Sequence, residues 1–161
     1  MDQRKVRDIS GTFATGVTVV TTKDASGKPV GMTANSFSSL SLNPPLVLIS
    51  IDKGASLYKH FMETNFFAIN ILSEKQEHLS RQFSRKNIDR FEGVNYAEGV
   101  TGTPILSDTI GYFDCAVNNY YDGGDHTIII GEVKNGEGRD GKPLLFHRGK
   151  YVQIEHDLVQ Q

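Results

Sequence analysis

The chain has 161 residues, of which 38% are hydrophobic and 22% charged, with a formal net charge of −2. This length fits a single domain spanning residues 1–161, and the mixed charges argue against the basic face that a general nucleic-acid-binding protein needs. No apolar run approaches the roughly 20 residues that cross a bilayer, and the N-terminus lacks the apolar core of a signal peptide. The one cysteine, Cys115, cannot form an internal disulfide. We therefore expect a cytoplasmic protein without membrane or nucleic-acid partners.

The first half of the chain predicts one short helix followed by several strands. Apolar side chains at Val6, Ile9 and Phe13 have helical spacing, which predicts a helix within residues 2–15. Runs of β-branched or apolar side chains predict strands over Thr15–Thr22, Val30–Asn35, Leu46–Ile51 and Phe66–Leu72. Because Leu46–Ile51 is almost continuously apolar, we expect that strand to be buried on both faces.

In the rest of the chain, predicted strands and helices alternate less regularly than in a doubly wound parallel sheet. A short helix is predicted over Ser56–Thr64, and the capping-box spacing of Ser73 and Gln76 opens another that runs to about Phe83. Residues 84–104 are polar and turn-rich, which is typical of a binding loop or lid. The later strands are predicted from Ile110 onward, at Thr127–Val133, and in a closing hairpin of Leu144–His147 with Tyr151–Ile154. Strands in runs with few helices favour a mainly antiparallel barrel.

The sequence gives little support to a dinucleotide-binding fingerprint, a zinc site or a hydrolase triad. Residues 136–141 match G-x-G-x-x-G, but Pro143 and an apolar run follow directly, so the segment predicts a polar hairpin loop and not the helix that a dinucleotide fingerprint requires. No histidine pair has zinc-ligand spacing. Asp125 and His126 are neighbours, and adjacent residues rarely place a carboxylate on the imidazole, so a hydrolase triad is not favoured.

Two segments remain as candidate binding elements. Residues 31–41 (GMTANSFSSLS) gather small hydroxyl and amide side chains between two strands; they form either an ordinary serine-rich loop or a polar rim around a planar ligand. Residues 123–126 (GGDH) precede the strongest predicted strand, which places His126 at a sheet edge. This histidine is either structural or a hydrogen-bonding group that acts near pH 7.

Taken together, these segments resemble the short-chain flavin reductases. TGVTVVTT, GMTANSFSSLSLNPPLVLISI, FAINIL, GDHTIIIGEV and PLLFHRGKY occur in that family's order, over about residues 5–155. MTANSFSSLSLNPPL is the most specific stretch and GDHT the second. Such proteins are the reductase components of two-component aromatic monooxygenases, such as phenol and 4-hydroxyphenylacetate hydroxylases. The resemblance implies a split β-barrel that binds FMN or FAD as a homodimer, with the flavin near the subunit interface.

The resemblance also assigns residues to the flavin. Thr33, Ala34, Asn35 and Ser36 should line the isoalloxazine ring. The ring and its ribityl–phosphate chain should be held by Ser50, Ile51 and Ser56, the phosphate-side contacts should be Phe83, Ser84 and Arg85, and Arg90 should lie near the flavin. Arg90 and Phe91 match an RF element of the family, and a helix beginning at Ser56 would suit a phosphate.

The nicotinamide side involves fewer residues. The resemblance implies that His126 lies over the flavin face where nicotinamide stacks and that Tyr151 helps to close this pocket. Hydride should pass directly from NADH or NADPH to the flavin, so no catalytic side chain and no metal is expected, and the cofactors carry the chemistry. Reduced flavin should then reach a partner oxygenase.

The sequence does not show whether the flavin is FMN or FAD, or whether the electron donor is NADH or NADPH. An alternative function is a non-enzymatic flavin-binding or electron-carrier protein with the same barrel, because a fold alone does not imply catalysis. An enzyme resembling pyridoxine-phosphate oxidase shares the barrel but lacks support from these motifs.

Overall fold

The structure is a computed structural model that describes residues 1–155 and is mainly β. Its helices are α1 (Gln3–Ser10), α2 (Tyr58–Glu63) and α3 (Glu77–Ser84), and a 3-10 turn (Glu74–Gln76) precedes α3. Its strands are β1 (Thr15–Gly16), β2 (Thr18–Lys23), β3 (Pro29–Ala34), β4 (Ser38–Leu42), β5 (Pro45–Asp52), β6 (Phe66–Ile71), β7 (Tyr96–Glu98), β8 (Pro104–Leu106), β9 (Gly111–Gly123), β10 (His126–Gly138), β11 (Leu145–His147) and β12 (Lys150–Val152). The predicted mainly β class with a few short helices is confirmed.

One antiparallel sheet of seven strands dominates the fold, in the order β3-β2-β6-β9-β10-β5-β4. Its two edge strands, β3 and β4, are joined by only three residues, 35–37. A flat sheet would hold these edges about 29 Å apart at about 4.8 Å per strand, whereas the connection reaches at most about 15 Å. The sheet is therefore strongly curled, which brings its first and last strands together.

The curled sheet has a core on each face. The inner core includes Phe67 and Ile69 of β6, Ile49 of β5 and Ile129 of β10, and Phe61 of α2 packs into it. The outer core includes Val19, Leu72, Leu79, Phe83, Leu106 and Leu144 and lies under α3. Burial in the inner core raises the pKa of the Cys115 thiol to about 12, so this cysteine stays protonated and packs as an apolar side chain.

Strand β6 and the closing hairpin of β11 and β12 follow the sequence prediction closely, but the burial of β5 does not. In β6 four consecutive residues, 67–70, are buried, because Phe67 and Ile69 lie in the inner core while Asn70, on the other face, accepts a hydrogen bond from the Leu106 backbone N–H of β8. In β5 burial alternates: Val47, Ile49 and Ile51 are buried, whereas Leu46 and Leu48 are partly exposed. The expectation that Leu46–Ile51 is covered on both faces is therefore wrong for the single chain, because only one face of β5 packs on a core.

Two predicted segments differ in extent. The N-terminal helix ends at Ser10, before Gly11, and Val6, Ile9 and Phe13 are all exposed. Residues 84–104 are less irregular than predicted, since β7 and β8 form a small hairpin there. Residues 136–141 do not open a helix, as expected: β10 runs to Gly138 and a bend follows. Within residues 1–155, the structure contains no helix of the length and hydropathy needed to span a membrane.

Candidate functional site

A cavity of about 340 Å³ lies between β3, the loop before α2 and the C-terminal end of α3. Five of the predicted residues line it, namely Thr33, Ser56, Phe83, Ser84 and Arg90. A neighbouring cavity of about 230 Å³ shares Ser56, Leu57 and Arg90 with it. The structure thus gathers residues from 33 to 90 around one continuous site.

A larger cavity of about 620 Å³ lies elsewhere, between the start of α3 and the bend at 139–142, and contains none of the predicted residues. Two of its polar side chains are engaged within the protein: Gln76 Nε2 donates to the carbonyl oxygen of Ser107 at 2.8 Å, and Arg139 pairs with Glu137 at 2.8 Å. The smaller pair of cavities is therefore the better candidate site.

Arg90 lines both cavities, whose walls also carry the charged side chains of Asp24, Lys28, Asp52, Lys86 and Asp89. Its Nη1 donates to the Gly31 carbonyl oxygen at 3.1 Å, its Nε to the Arg85 carbonyl oxygen at 2.7 Å, and its Nη2 lies 3.4 Å from Ser56 Oγ. No carboxylate of the described residues forms an ion pair with it. Partial burial lowers the pKa of Arg90. A half-buried guanidinium without an anionic partner is suited to bind an anion, because pairing offsets its loss of hydration.

The loop after β3 is fixed by its own side chains. Ser36 Oγ donates to the Ser50 carbonyl oxygen at 2.9 Å and accepts from Ser50 N at 3.0 Å, which ties the loop to β5. Thr33 Oγ1 donates to the Ser80 carbonyl oxygen at 2.6 Å, which ties β3 to α3. The Asn35 side chain is exposed and forms no hydrogen bond with a described residue. This asparagine is therefore free to reach a ligand.

Several of the predicted residues occupy the site differently from their assignments. Ile51 and Phe83 are completely or almost completely buried in the cores, so only their backbones or a ring edge could meet a ligand. Ser56 precedes α2 by two residues, and α2 has only six residues, so a helix dipole offers little to a phosphate here. Arg85 is exposed and does not line either cavity.

His126 lies at the first position of β10, opposite Asp52 at the end of β5. Asp52 also lines the 340 Å³ cavity, whereas His126 itself lines neither of the two cavities. Contrary to the sequence argument, Asp125 Oδ1 does lie 2.7 Å from His126 Nδ1. The exposed β9–β10 turn allows this contact between neighbours, and the hydrogen bond to His126 lowers the pKa of Asp125.

The turn that carries this pair is tied to the loop after β5. The Lys53 backbone N–H donates to the Asp125 carbonyl oxygen at 2.9 Å, and Lys53 Nζ pairs with Asp122 and donates to the Gly124 carbonyl oxygen at 2.6 Å. Tyr58 Oη lies 2.7 Å from Thr127 Oγ1, which links α2 to β10. The histidine is therefore placed by contacts from two elements.

Tyr151 lies against α3 and not on the wall of either cavity. Its hydroxyl lies 2.7 Å from Ser80 Oγ, and the Arg81 guanidinium lies 4.9 Å from the ring centroid. Ser80 also accepts the hydrogen bond from Thr33, so Tyr151 supports the site through α3.

Comparison with known proteins decides the family. The sequence profile described as "Flavin reductase like domain" matches residues 10–155. The chain belongs to the flavin reductase-like family. The resemblance predicted from MTANSF and GDHT is thus confirmed.

Individual relatives agree with this assignment. The flavin reductase domain is 47% identical over 150 residues to a probable flavin reductase of Rhizobium meliloti, covering 93% of this chain and 48% of that protein. It is 39% identical over 158 residues to HsaB, the reductase subunit of a flavin-dependent monooxygenase of Rhodococcus jostii, covering 98% and 80%. The chain therefore spans about half of one of these relatives and most of the other.

A solved structure gives the same fold. The NADH:FAD oxidoreductase of Streptomyces globisporus, in complex with NAD and FAD fragments, superposes with a TM-score of 0.91 at 37% identity, covering 97% of this chain and 94% of that one.

Sequence reasoning missed three contributors to the site. They are Gly31, whose carbonyl holds Arg90, Lys86, which lines the cavity, and Asp125, which contacts His126. All three lie within segments that the sequence had singled out, residues 31–41, 84–104 and 123–126, but none of them was assigned a role there.

Proposed function

We propose that the protein is an NAD(P)H:flavin oxidoreductase, which transfers hydride from NAD(P)H to FAD or FMN and supplies the reduced flavin to a partner monooxygenase. The observation that carries the proposal is Arg90, a half-buried cation without a carboxylate partner within residues 1–155, in a cavity lined by five of the predicted flavin residues. The family match across residues 10–155 supports it.

The two cavities suit a phosphate-bearing flavin. Together with Arg90, the side chains of Ser56 and Lys86 offer a hydroxyl and an ammonium donor on the cavity wall. Residues 34–36, tied to β5 by Ser36, follow Thr33 of the cavity wall and carry the exposed Asn35 amide. A volume of about 340 Å³ lies in the range of sites for small ligands, roughly 300–1,000 Å³.

The nicotinamide side is assigned to His126. When bound, the flavin supplies the hydride acceptor and the nicotinamide cofactor supplies the hydride. The role of the chain is to hold the two rings in contact, because orientation accounts for much of the rate of such a transfer. Asp125 accepts from Nδ1–H of His126, which leaves Nε2 to meet the nicotinamide carboxamide. The NAD and FAD fragments named with the Streptomyces globisporus structure support NADH as the donor.

The architecture that we propose is the split β-barrel of the family. The three-residue connection between the two edge strands supports it, because such a link requires the edges to approach each other. Phe37 of this connection stacks on Phe113 of β9 with ring centroids 5.8 Å apart. The ring of the linking segment thus packs against a strand from the middle of the sheet.

We also propose a homodimer. Exposed apolar side chains favour it: Val6, Ile9 and Phe13 of the N-terminal segment, and Leu40 and Leu42 of β4. Such side chains cost free energy in water and mark contact surfaces when they cluster. The partly exposed Leu46 and Leu48 of β5, next to β4, would be covered in the same way.

The partner oxygenase and a cytoplasmic location are part of the proposal. Relatives named as reductase subunits of flavin-dependent monooxygenases support the first. The need for NAD(P)H, a soluble intracellular cofactor, favours the second.

Steady-state oxidation of NADH and NADPH, measured with riboflavin, FMN and FAD in turn, tests the activity. We expect flavin-dependent oxidation of at least one nicotinamide cofactor. Binding of flavin without any turnover would instead identify a flavin carrier with the same barrel.

A further inference from the structure

The residue that follows Arg90, Phe91, lies between two other aromatic rings. Its ring centroid is 5.0 Å from that of Phe83 at an interplanar angle of 89°, and 5.3 Å from that of Tyr96 at 77°. Both arrangements are edge-to-face, which is a favoured geometry for aromatic pairs. We call Phe83, Phe91 and Tyr96 the aromatic row.

The inner end of the row is anchored beside an acceptor of Arg90. The Phe83 ring packs so closely on Gly31 that a Cβ there would lie 3.0 Å from it and from the Val20 carbonyl oxygen. The Gly31 carbonyl oxygen accepts the hydrogen bond from Arg90 Nη1. The same residue of β3 therefore fixes both Phe83 and the guanidinium.

The outer end of the row is anchored to the sheet through β7 and β8. Tyr96 pairs with Leu106, whose backbone N–H donates to Asn70 Oδ1 at 2.8 Å. The Pro104 carbonyl oxygen accepts from Thr21 Oγ1 at 2.5 Å. The hairpin is thus fixed to β2 and β6, so the Tyr96 ring gives Phe91 a fixed surface to pack against.

The backbone around Phe91 is also held by hydrogen bonds, among them one from the Phe91 N–H to Asp89 Oδ1 at 3.1 Å. Gln82 Nε2 donates to the carbonyl oxygens of Arg90 at 2.8 Å and Glu92 at 3.0 Å. These bonds fix the backbone. The orientation of the Phe91 side chain then depends on the neighbouring rings, and that of the Arg90 side chain on the acceptors of its guanidinium.

We propose that Tyr96 is a positioning residue for Arg90, and that it thereby sets the preference of the site for flavins that carry a phosphate over riboflavin. The proposal rests on the proposed function, in which Arg90 meets the flavin phosphate. The ring of Tyr96 performs this role, because its hydroxyl forms no hydrogen bond with a described residue.

The expected effect is specific to phosphate. Without the Tyr96 ring, Phe91 loses one of its two aromatic neighbours, so the guanidinium is less well fixed where the phosphate binds. A ligand that lacks the phosphate does not use this contact. Tyr96 is 40% exposed, so its replacement opens little space in a core.

The test compares Tyr96→Ala with the matched control Tyr96→Phe, which keeps the ring. Affinities for FMN and riboflavin are measured by flavin fluorescence titration, and folding is checked by thermal melting. We expect Tyr96→Ala to weaken FMN binding about threefold to tenfold and riboflavin binding by less than about twofold, while Tyr96→Phe binds both like the unmodified protein. An equal loss for both ligands, an unchanged FMN affinity, or an equal loss in Tyr96→Phe would each overturn the proposal.

Arg90→Gln separates this proposal from the proposed function. If Arg90→Gln binds FMN as tightly as the unmodified protein, the assignment of Arg90 to the phosphate is wrong, and the role of Tyr96 falls with it. If Arg90→Gln loses FMN affinity and Tyr96→Ala does not, only the positioning role is wrong. In the double variant we expect no FMN loss beyond that of Arg90→Gln, because both changes act on one interaction.

Discussion

At the scale of single residues, His126 gives the sharpest test of the nicotinamide site. The imidazole is 41% exposed and is held by Asp125 at 2.7 Å. We expect His126→Ala to raise the KM for NADH by about threefold to tenfold, since a hydrogen bond of this kind contributes about 0.5–1.5 kcal/mol. Flavin affinity and melting temperature should stay nearly unchanged. A parallel loss of flavin affinity with a lower melting temperature would assign His126 to the fold.

Asp125 provides the matched control at the same scale. Asp125→Asn keeps an oxygen that can accept from His126 Nδ1, whereas Asp125→Ala removes it. Because this pair is solvent-exposed, we expect Asp125→Ala to raise the KM for NADH less than His126→Ala, and Asp125→Asn less still. The contact between neighbouring side chains depends on rotamers in an exposed turn, which residue types alone do not determine.

At the scale of elements, the β7–β8 hairpin depends on one buried carboxylate. Asp114 of β9 is completely buried and accepts from Thr101 N at 3.0 Å, from Thr103 Oγ1 at 2.8 Å and from the Thr101 hydroxyl. Asp114→Asn replaces one acceptor oxygen with an amino group that faces these donors. We expect it to lower the free energy of unfolding by about 1–3 kcal/mol, because a buried donor is left without a partner.

Chemical denaturation measures this difference. The exposed Asp140, which has no ion pair among the described residues, supplies the control, since Asp140→Asn should leave the unfolding midpoint unchanged. Equal unfolding midpoints for the two variants would show that the hydrogen bonds from Thr101 and Thr103 to Asp114 do not stabilise the hairpin.

This hairpin also shows why some elements escape prediction from sequence. Thr18–Lys23 and Phe66–Ile71 form strands because β-branched and apolar runs specify them locally. Tyr96–Glu98 and Pro104–Leu106 are only three residues long each, and the turn that joins them is held by Asp114 of β9, 11 to 13 residues beyond the threonines that it binds. The same holds for the site, where motif resemblance found Thr33, Ser56 and Arg90, but only the fold reveals Gly31 and Lys86 as their neighbours.

At the scale of the whole molecule, the exposed apolar side chains predict the assembly. Leu42 is 96% exposed at the end of β4, and Phe13 is 78% exposed after α1. We expect the protein to show about twice its chain mass of 17.8 kDa by light scattering, and Leu42→Glu or Phe13→Glu to shift it towards the single-chain mass. Val100→Glu, on the 99–103 loop, is the control and should leave the mass unchanged. A single-chain mass for the unmodified protein at working concentration would contradict the dimer.

The position of β10 in the sheet also governs how the chain folds during synthesis. Ile129 of β10 pairs with Ile49 of β5, although eighty residues of chain separate them. While the ribosome is still making the second half of the protein, β5 can pair only with β4, and its other edge stays open. Such edges template aggregation, and pairing over long sequence separations is slow. One edge of the apolar strand β5 therefore has no native partner in the nascent chain until β10 has left the ribosomal exit tunnel.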